Sequence, residues 1–371
     1  MSSAAPALER IEIPEPRWKR DATIDFFRGL GLWMIFLDHL DHNVWSNITL
    51  SRFGFSDWAE VFVFLSGFMS VGSWEKVFAQ ASGAANPGCS RLSAGVFQKL
   101  SRRVARLYIA QISALLLSLA LLWACAQRGV RVPDPAFYMW INYPAQGLLR
   151  VLLLLYTPGI FTLLLLYLMV APLLPLMVFG LKRAPKLTLS ISAATWLLVQ
   201  LPVFHSVGLN WRWYFNPLAW QFLFALGAAA RYYSNRLQSV ARSRPVIVMA
   251  VGFLAASAAL KFLTHFDWTV RHAGKPDLAW YRLVHFLALV ILVTVRLPRH
   301  RRWLQSPVAR WAVICGEQSL LIFAASLVLD VAGNLLLAAA PQGGPLLQLA
   351  ISLSGILLLC WIAHQSRKSM E

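Results

Sequence analysis

Apolar runs of about 20 residues recur along the whole chain, separated by short stretches that carry most of its Lys and Arg. Wound as an α-helix at about 1.5 Å per residue, such a run matches the hydrocarbon thickness of a bilayer. In lipid every backbone amide must be paired internally, so only helices and closed barrels cross. Barrel strands would alternate polar and apolar residues over about ten positions, and these runs do not alternate. Composition agrees: a chain of 371 residues that is 58% hydrophobic and 13% charged, with mean hydropathy +0.58, has more apolar surface than a soluble fold hides. The expected fold class is therefore all-α integral membrane.

Ten transmembrane helices are predicted, at roughly 24–43, 56–78, 104–125, 158–180, 188–206, 214–232, 245–266, 278–297, 311–332 and 345–364. Leu148 to Leu155 is apolar but closed by Thr157-Pro158-Gly159, too short to span, and reads as an interfacial helix. With the N-terminus inside, 24 of the 34 Lys and Arg fall on the cytoplasmic side, nine outside, and Arg28 within the first span. That asymmetry follows the positive-inside rule, supports an even number of spans and puts both termini in the cytoplasm. It also accounts for the net charge of +18 as loops at an anionic leaflet, so no nucleic-acid partner is implied. The polar, basic start of the chain is not that of a cleavable signal peptide. The division expected is a cytoplasmic segment 1–23, one polytopic domain 24–364 and a cytoplasmic tail 365–371. Ala79 to Ser93 is Ala-, Ser-, Gly- and Pro-rich and reads as a cytoplasmic loop. Cys89, Cys125, Cys315 and Cys360 form no CxxC pair, and no metal or tightly bound cofactor is implied.

Polar residues inside such helices are costly and mark function by default. The first span, RDATIDFFRGLGLWMIFLDHLDHN, holds the densest set. At about 100° per residue, Arg28 and His39 fall within roughly 20° of each other, with Asp25 about 40° away. One face thus carries Asp25, Arg28 and His39. Asp25 and Arg28 form an i,i+3 pair at the cytoplasmic end, and His39 lies about 16 Å further out. Asp38 and His42 are i,i+4 neighbours on another face. Either set can lock helices together, and either can be chemical, His39 being the stronger candidate.

In the second span, GFSDWAEVFVFLSGFM, Ser66 and Gly67 suit close helix packing. Asp57 and Glu60 stand one turn apart, and Glu60 calls for an imidazole or a cation from another helix. Ahead of the third span, Arg102, Arg103 and Arg106 make one cationic helical turn. Such a turn is either a positive-inside anchor or a phosphate site, because guanidinium forks bind oxyanions in bidentate fashion. The stretch NWRWYFNPLAWQFLF, with Trp213, Asn216 and Trp220, opens the sixth span as an aromatic belt or a sugar-stacking wall. Arg282 and His285, one turn apart, and Glu317-Gln318-Ser319 complete the candidates.

The opening RDATIDFFRGLGLWMIFLDH, followed by FGFSDWAEVFVFLSGF, resembles the OpgC family of membrane proteins that transfer succinyl groups to osmoregulated periplasmic glucans. RRVARLY, WRWYFNPLAWQFLFALG, RLVHFLALV and GEQSLLIF resemble that family too, so the likeness is scattered over most of the chain. More loosely, the first-span Arg-Gly followed by His, the LSGF and the Arg-rich RLY stretch are similar to the wider acyltransferase-3 superfamily.

The resemblance implies an inner-membrane enzyme using succinyl-CoA or acetyl-CoA as cosubstrate, with a periplasmic glucan or other envelope polysaccharide as acceptor and membrane lipid around it. Carried onto this chain, it implicates His39 and Arg102, Arg103 and Arg106 in acyl transfer; His39 is expected as the general base, and acyl-CoA is expected on those three arginines and on Arg28 of the first span. The carboxylate orienting His39 is expected to be Glu60 or a group of another helix rather than adjacent Asp38. Acceptor contacts are expected from Asp57, Trp213, Asn216, Trp220, Arg282 and His285. The alternatives are an O-acetyltransferase of another envelope glycan and a transporter or flippase of a polar or lipid-linked substrate.

Overall fold

All regular structure among the described residues is helical. The computed structural model describes residues 21–82, 89–129, 142–155, 157–201, 214–263, 274–297 and 301–369. Helix α1 (Ala22–His39) starts where the Asp21 carboxylate accepts from the Thr23 amide at 2.9 Å, and Asp25 in its first turn complements the helix dipole. It ends at extended Leu40, and the chain turns through Asp41 and His42, the latter at φ 53°. Two 3-10 turns (Val44–Ile48, Leu50–Arg52) lead to α2 (Trp58–Ser82). Helix α3 (Cys89–Ala126) is 38 residues long, roughly 57 Å, about twice a bilayer core. Its first half is basic up to Arg106, and its second half is apolar from Leu107 onward.

Six helices follow: α4 (Pro144–Leu152), α5 (Thr162–Val170), α6 (Leu173–Arg183), α7 (Pro185–Val199), α8 (Pro217–Tyr232) and α9 (Ser234–Ala241). Then come α10 (Arg244–Leu263), α11 (Trp280–Arg296), α12 (Pro307–Glu317), α13 (Ser319–Ala339) and α14 (Gly344–Lys368). By length and apolarity five helices can cross a membrane: α2, α3, α10, α13 and α14. The α5–α6 pair makes six if taken as one span bent by 54°. The predicted span 158–180 is thus broken at Ala171-Pro172, where proline removes an amide donor and crowds the preceding turn. The predicted span 311–332 is also two helices, interrupted at Gln318, so that α13 begins beside α1 rather than in mid-span. The short stretch near Leu148 is indeed a separate helix, α4. The region expected to form the Ala79–Ser93 loop includes 83–88, outside the described residues.

Glycines set the closest approaches. A Cβ on Gly29 of α1 would overlap the Ala312 carbonyl of α12, and one on Gly316 of α12 would overlap the Asp25 carbonyl of α1. Gly67 of α2 and Gly227 of α8 stand in the same relation to the Phe224 and Phe64 carbonyls. Backbones this close gain dispersion contact that substitutes for the hydrophobic drive lipid cannot supply. Helix α1 is consequently held between α12, α13, α14 and α2, with Leu32 and Phe36 fully buried. Large apolar side chains point outward elsewhere, among them Ile109 on α3, Met249 on α10 and Leu357 on α14, as a lipid-facing surface requires. Cys315 and Cys360 bring their thiols to 3.8 Å between α12 and α14.

Candidate active site

Two polar side chains on α1 meet α13 at matching heights. Arg28 hydrogen-bonds the Ser319 hydroxyl at the start of α13 and pairs with Asp25 at 3.6 Å. Three turns on, His39 Nδ1 lies 3.4 Å from Asp330 Oδ2. Since the lower-numbered residue of α1 meets the lower-numbered residue of α13, the two helices run parallel. Asp330 is fully buried, and its carboxylate has no hydrogen bond of good geometry among the described residues, so the 3.4 Å approach of the imidazole is its principal polar contact. Asn334, one turn beyond Asp330, donates to the His39 carbonyl at 3.0 Å and accepts from the Asp41 amide at 2.8 Å. The end of α1 is thereby fixed in height and rotation relative to α13.

At the other end of this pair of helices a cavity of about 680 Å3 opens between α1, α2, α3, α5 and α13. Arg28, Lys99, Arg102, Arg103 and Arg106 line it. Its walls run along α2 from Gln80 to Phe62, and along α3 from Gly95 to Leu107. Phe62, Leu107 and Phe323 mark the apolar end, and the Phe62 and Phe323 rings are 6.0 Å apart. Tyr167 faces the cavity and shares a hydrogen bond of 2.9 Å with Ser66. Lys99 bonds the Ser73 carbonyl and lies over the Trp74 ring at 4.7 Å. Five cations around one cavity, with the N-terminus of α13 at its rim, form a strongly anion-attracting space.

The remaining expected residues gather at a third place. Arg282 donates through Nε to Glu60 at 2.8 Å and through Nη2 approaches Glu60 Oε1 at 2.6 Å and Asp57 Oδ2 at 3.2 Å. Lys275 closes on Asp57 at 2.6 Å. The Glu60 carboxylate also accepts from the Asp57 amide at 2.9 Å, and Asp57 from the Ala59 amide at 2.8 Å, which together cap α2. His285 Nδ1 contacts the Ser56 hydroxyl at 2.7 Å, and Gly54 leaves room for the far edge of the ring. Burial alone would lower the Lys275 ammonium, but the Asp57 carboxylate and its neighbours outweigh this and raise it above its ordinary value.

Several expectations are redirected by this geometry. Glu60 is engaged by Arg282, and the carboxylate at His39 is Asp330. Asp38 accepts from Thr49 at 2.6 Å and Ser51 at 3.0 Å, which pins the 3-10 turns to α1. Trp220 is fully buried and donates to the Lys275 and Pro276 carbonyls at 3.0 Å, so it offers no face to a sugar. Asn216 caps α8 and holds Asp277 at 2.9 Å. Trp213 lies outside the described residues. Three residues of these clusters were not singled out in the sequence, Lys99, Lys275 and Asp330. For Asp330 the signal was present, as the lone carboxylate in the apolar run LLIFAASLVLDVAGNLL.

One helix of this membrane protein, α1, thus carries an anion-attracting cavity at one end and, three turns away, a partly exposed imidazole against a buried carboxylate. The chain belongs to the OpgC family: the family model described as OpgC protein matches residues 20–371. Membership implies a membrane acyltransferase for periplasmic glucans. No curated protein and no solved structure matches the chain.

Proposed function

We propose that the protein transfers an acyl group, succinyl in the first instance, from cytoplasmic acyl-CoA to a hydroxyl of a periplasmic glucan. The observation that carries this reading is the shared stripe of α1, with Arg28 in the cationic cavity and His39 against Asp330. The phosphates of the donor would lie on Arg28, Arg102, Arg103 and Arg106, with Lys99 as a fifth cation. Its thioester would reach toward His39, about 16 Å along the helix from Arg28, a distance a pantetheine arm can bridge.

The Nδ1 edge of His39 faces Asp330, so the neutral ring carries its proton there and Nε2 is left to act as base. As the glucan oxygen attacks the thioester carbonyl, Nε2 takes the hydroxyl proton and a C–O bond forms. The C–S bond then breaks, and the imidazolium returns the proton to the departing thiolate. Asp330 stabilises the imidazolium and fixes the ring, the part played by the carboxylate in hydrolytic triads. In this reading the protein lies in the inner membrane with ten crossings and both termini inside. Helices such as α1 and α11 are short or charged for spans, and neighbours shield their polar groups.

The test is transfer in proteoliposomes holding the purified protein, with succinyl-CoA on one side and glucan on the other, read as ester by mass spectrometry. Ester formation that stops in His39→Gln supports the reading. The 54° break at Ala171-Pro172 is the feature that favours a transporter, where broken helices line substrate paths. Glucan or donor crossing the bilayer unmodified, with no ester formed, would establish that alternative instead.

A further inference from the structure

The face of α3 that lines the cavity continues past the cavity's apolar end. Arg103 and Leu107 belong to the lining. Gln111 lies one turn beyond Leu107 on the same stripe, and Ser118 about three turns beyond it. Gln111 is fully buried, and neither its Nε2 nor its Oε1 has a hydrogen-bond partner among the described residues. Ser118 is also fully buried, with its hydroxyl unpartnered. Helical serines ordinarily return the hydroxyl to a carbonyl of the preceding turn, as Ser257, Ser326 and Ser354 do. A buried amide with both ends empty costs stability, and nothing in the packing of an apolar helix demands it, since Leu or Met would fill the volume without that cost.

The position of these orphaned groups gives them a use. Helix α3 packs along α13. Both leave the cavity in the same direction, α3 from Leu107 and α13 from Phe323, and two turns beyond Phe323 stands Asp330 with His39. The empty polar atoms of Gln111 therefore lie past the cavity on the way to the imidazole. We propose that Gln111 forms the subsite for the amide-bearing arm of the donor. This rests on the acyl-CoA reading. A pantetheine arm carries two secondary amides, each with one N–H and one C=O. The side-chain amide of Gln111 offers the complementary acceptor and donor to one of them. Gln111 would then be a positioning residue, setting how far the thioester extends toward His39.

The test compares two probes on the full-length protein in detergent: coenzyme A, and adenosine 3′,5′-bisphosphate, which has the phosphates but no arm. For Gln111→Leu the expected result is coenzyme A affinity weakened about tenfold, or about 1.4 kcal/mol. Affinity for the bisphosphate should be unchanged, and the unliganded protein should melt at the same temperature or higher. Gln111→Met, of equal length, replaces it if the leucine variant does not fold. Equal weakening of both probes, or a lower melting temperature, assigns Gln111 to packing and overturns the proposal. Unchanged coenzyme A affinity overturns it as well. If the unsubstituted protein binds neither probe, the acyl-CoA reading itself fails and takes this subsite with it.

Discussion

His39 Nδ1 faces Asp330 Oδ2 at 3.4 Å across the α1–α13 contact, while Arg28 and Ser319, each three turns earlier on its own helix, join the same two helices at the cavity. Two parallel helices are thus tied at both ends of the path between the proposed donor phosphates and the proposed base.

Asp330→Asn keeps the size of the side chain and removes the charge, so the imidazole loses the group that fixes its tautomer and stabilises its protonated form. Transfer at saturating donor and glucan should fall by at least about 10²-fold, and in His39→Gln by roughly 10²- to 10⁴-fold. Because the two residues act as one unit, the double variant should be no slower than His39→Gln alone. Multiplicative losses in the double variant would mean that they act separately.

Replacing pairs among Arg102, Arg103 and Arg106 with Gln should weaken donor binding while leaving turnover at saturation within a few-fold, since phosphate contacts made equally in ground and transition states affect KM rather than kcat. Raising the salt concentration should mimic the substitutions in the unsubstituted protein, as exposed cations are screened. Donor affinity that stays constant in folded variants returns these arginines to the role of membrane anchors.

The helical stripes were legible in the sequence because 3.6-residue periodicity is local: Arg28 and His39 share a face whatever surrounds α1. So was the cationic turn of Arg102, Arg103 and Arg106, which the fold puts in one cavity with Arg28. The partners of buried charges were not legible, because they come from packing between distant segments. Glu60 called for a cation, and nothing local showed that it is Arg282, 222 positions away. Trp220 and Asn216 read equally well as sugar contacts and as braces, and only the turn at Lys275–Leu278 shows them bracing it. The breaks at Pro172 and Gln318 were hidden inside continuous apolar runs, because hydropathy records depth in lipid and not backbone direction.

Gly29→Ala should be disproportionately harmful for a single methyl. The added carbon meets the Ala312 carbonyl, a backbone atom that cannot rotate away, so α1 must shift from α12. Overpacking of this kind costs about 1–3 kcal/mol, and displacing α1 moves Arg28 and His39 together. A lower melting temperature in detergent and a loss of transfer should therefore appear in the same variant. Gly252 on α10 is the control: a Cβ there meets nothing within 4 Å, so Gly252→Ala should leave both unchanged.

Arg282 separates a structural from an acceptor-binding role for the third cluster. Its side chain is 1% exposed and serves both Glu60 and Asp57, so Arg282→Met strands the fully buried Glu60 carboxylate, while Asp57 keeps Lys275. Breaking one side of a buried pair costs about 3–5 kcal/mol, because the leftover charge is desolvated without compensation. The single variant should accordingly melt well below the unsubstituted protein. Adding Glu60→Gln to it removes the stranded charge and should recover much of the loss, as buried pairs replaced on both sides are often near neutral. An acceptor-binding arginine behaves differently: the protein stays folded, the KM for glucan rises, and Glu60→Gln restores nothing. Finding that second pattern would remove the network from the scaffold and return Asp57, Arg282 and His285 to the acceptor site.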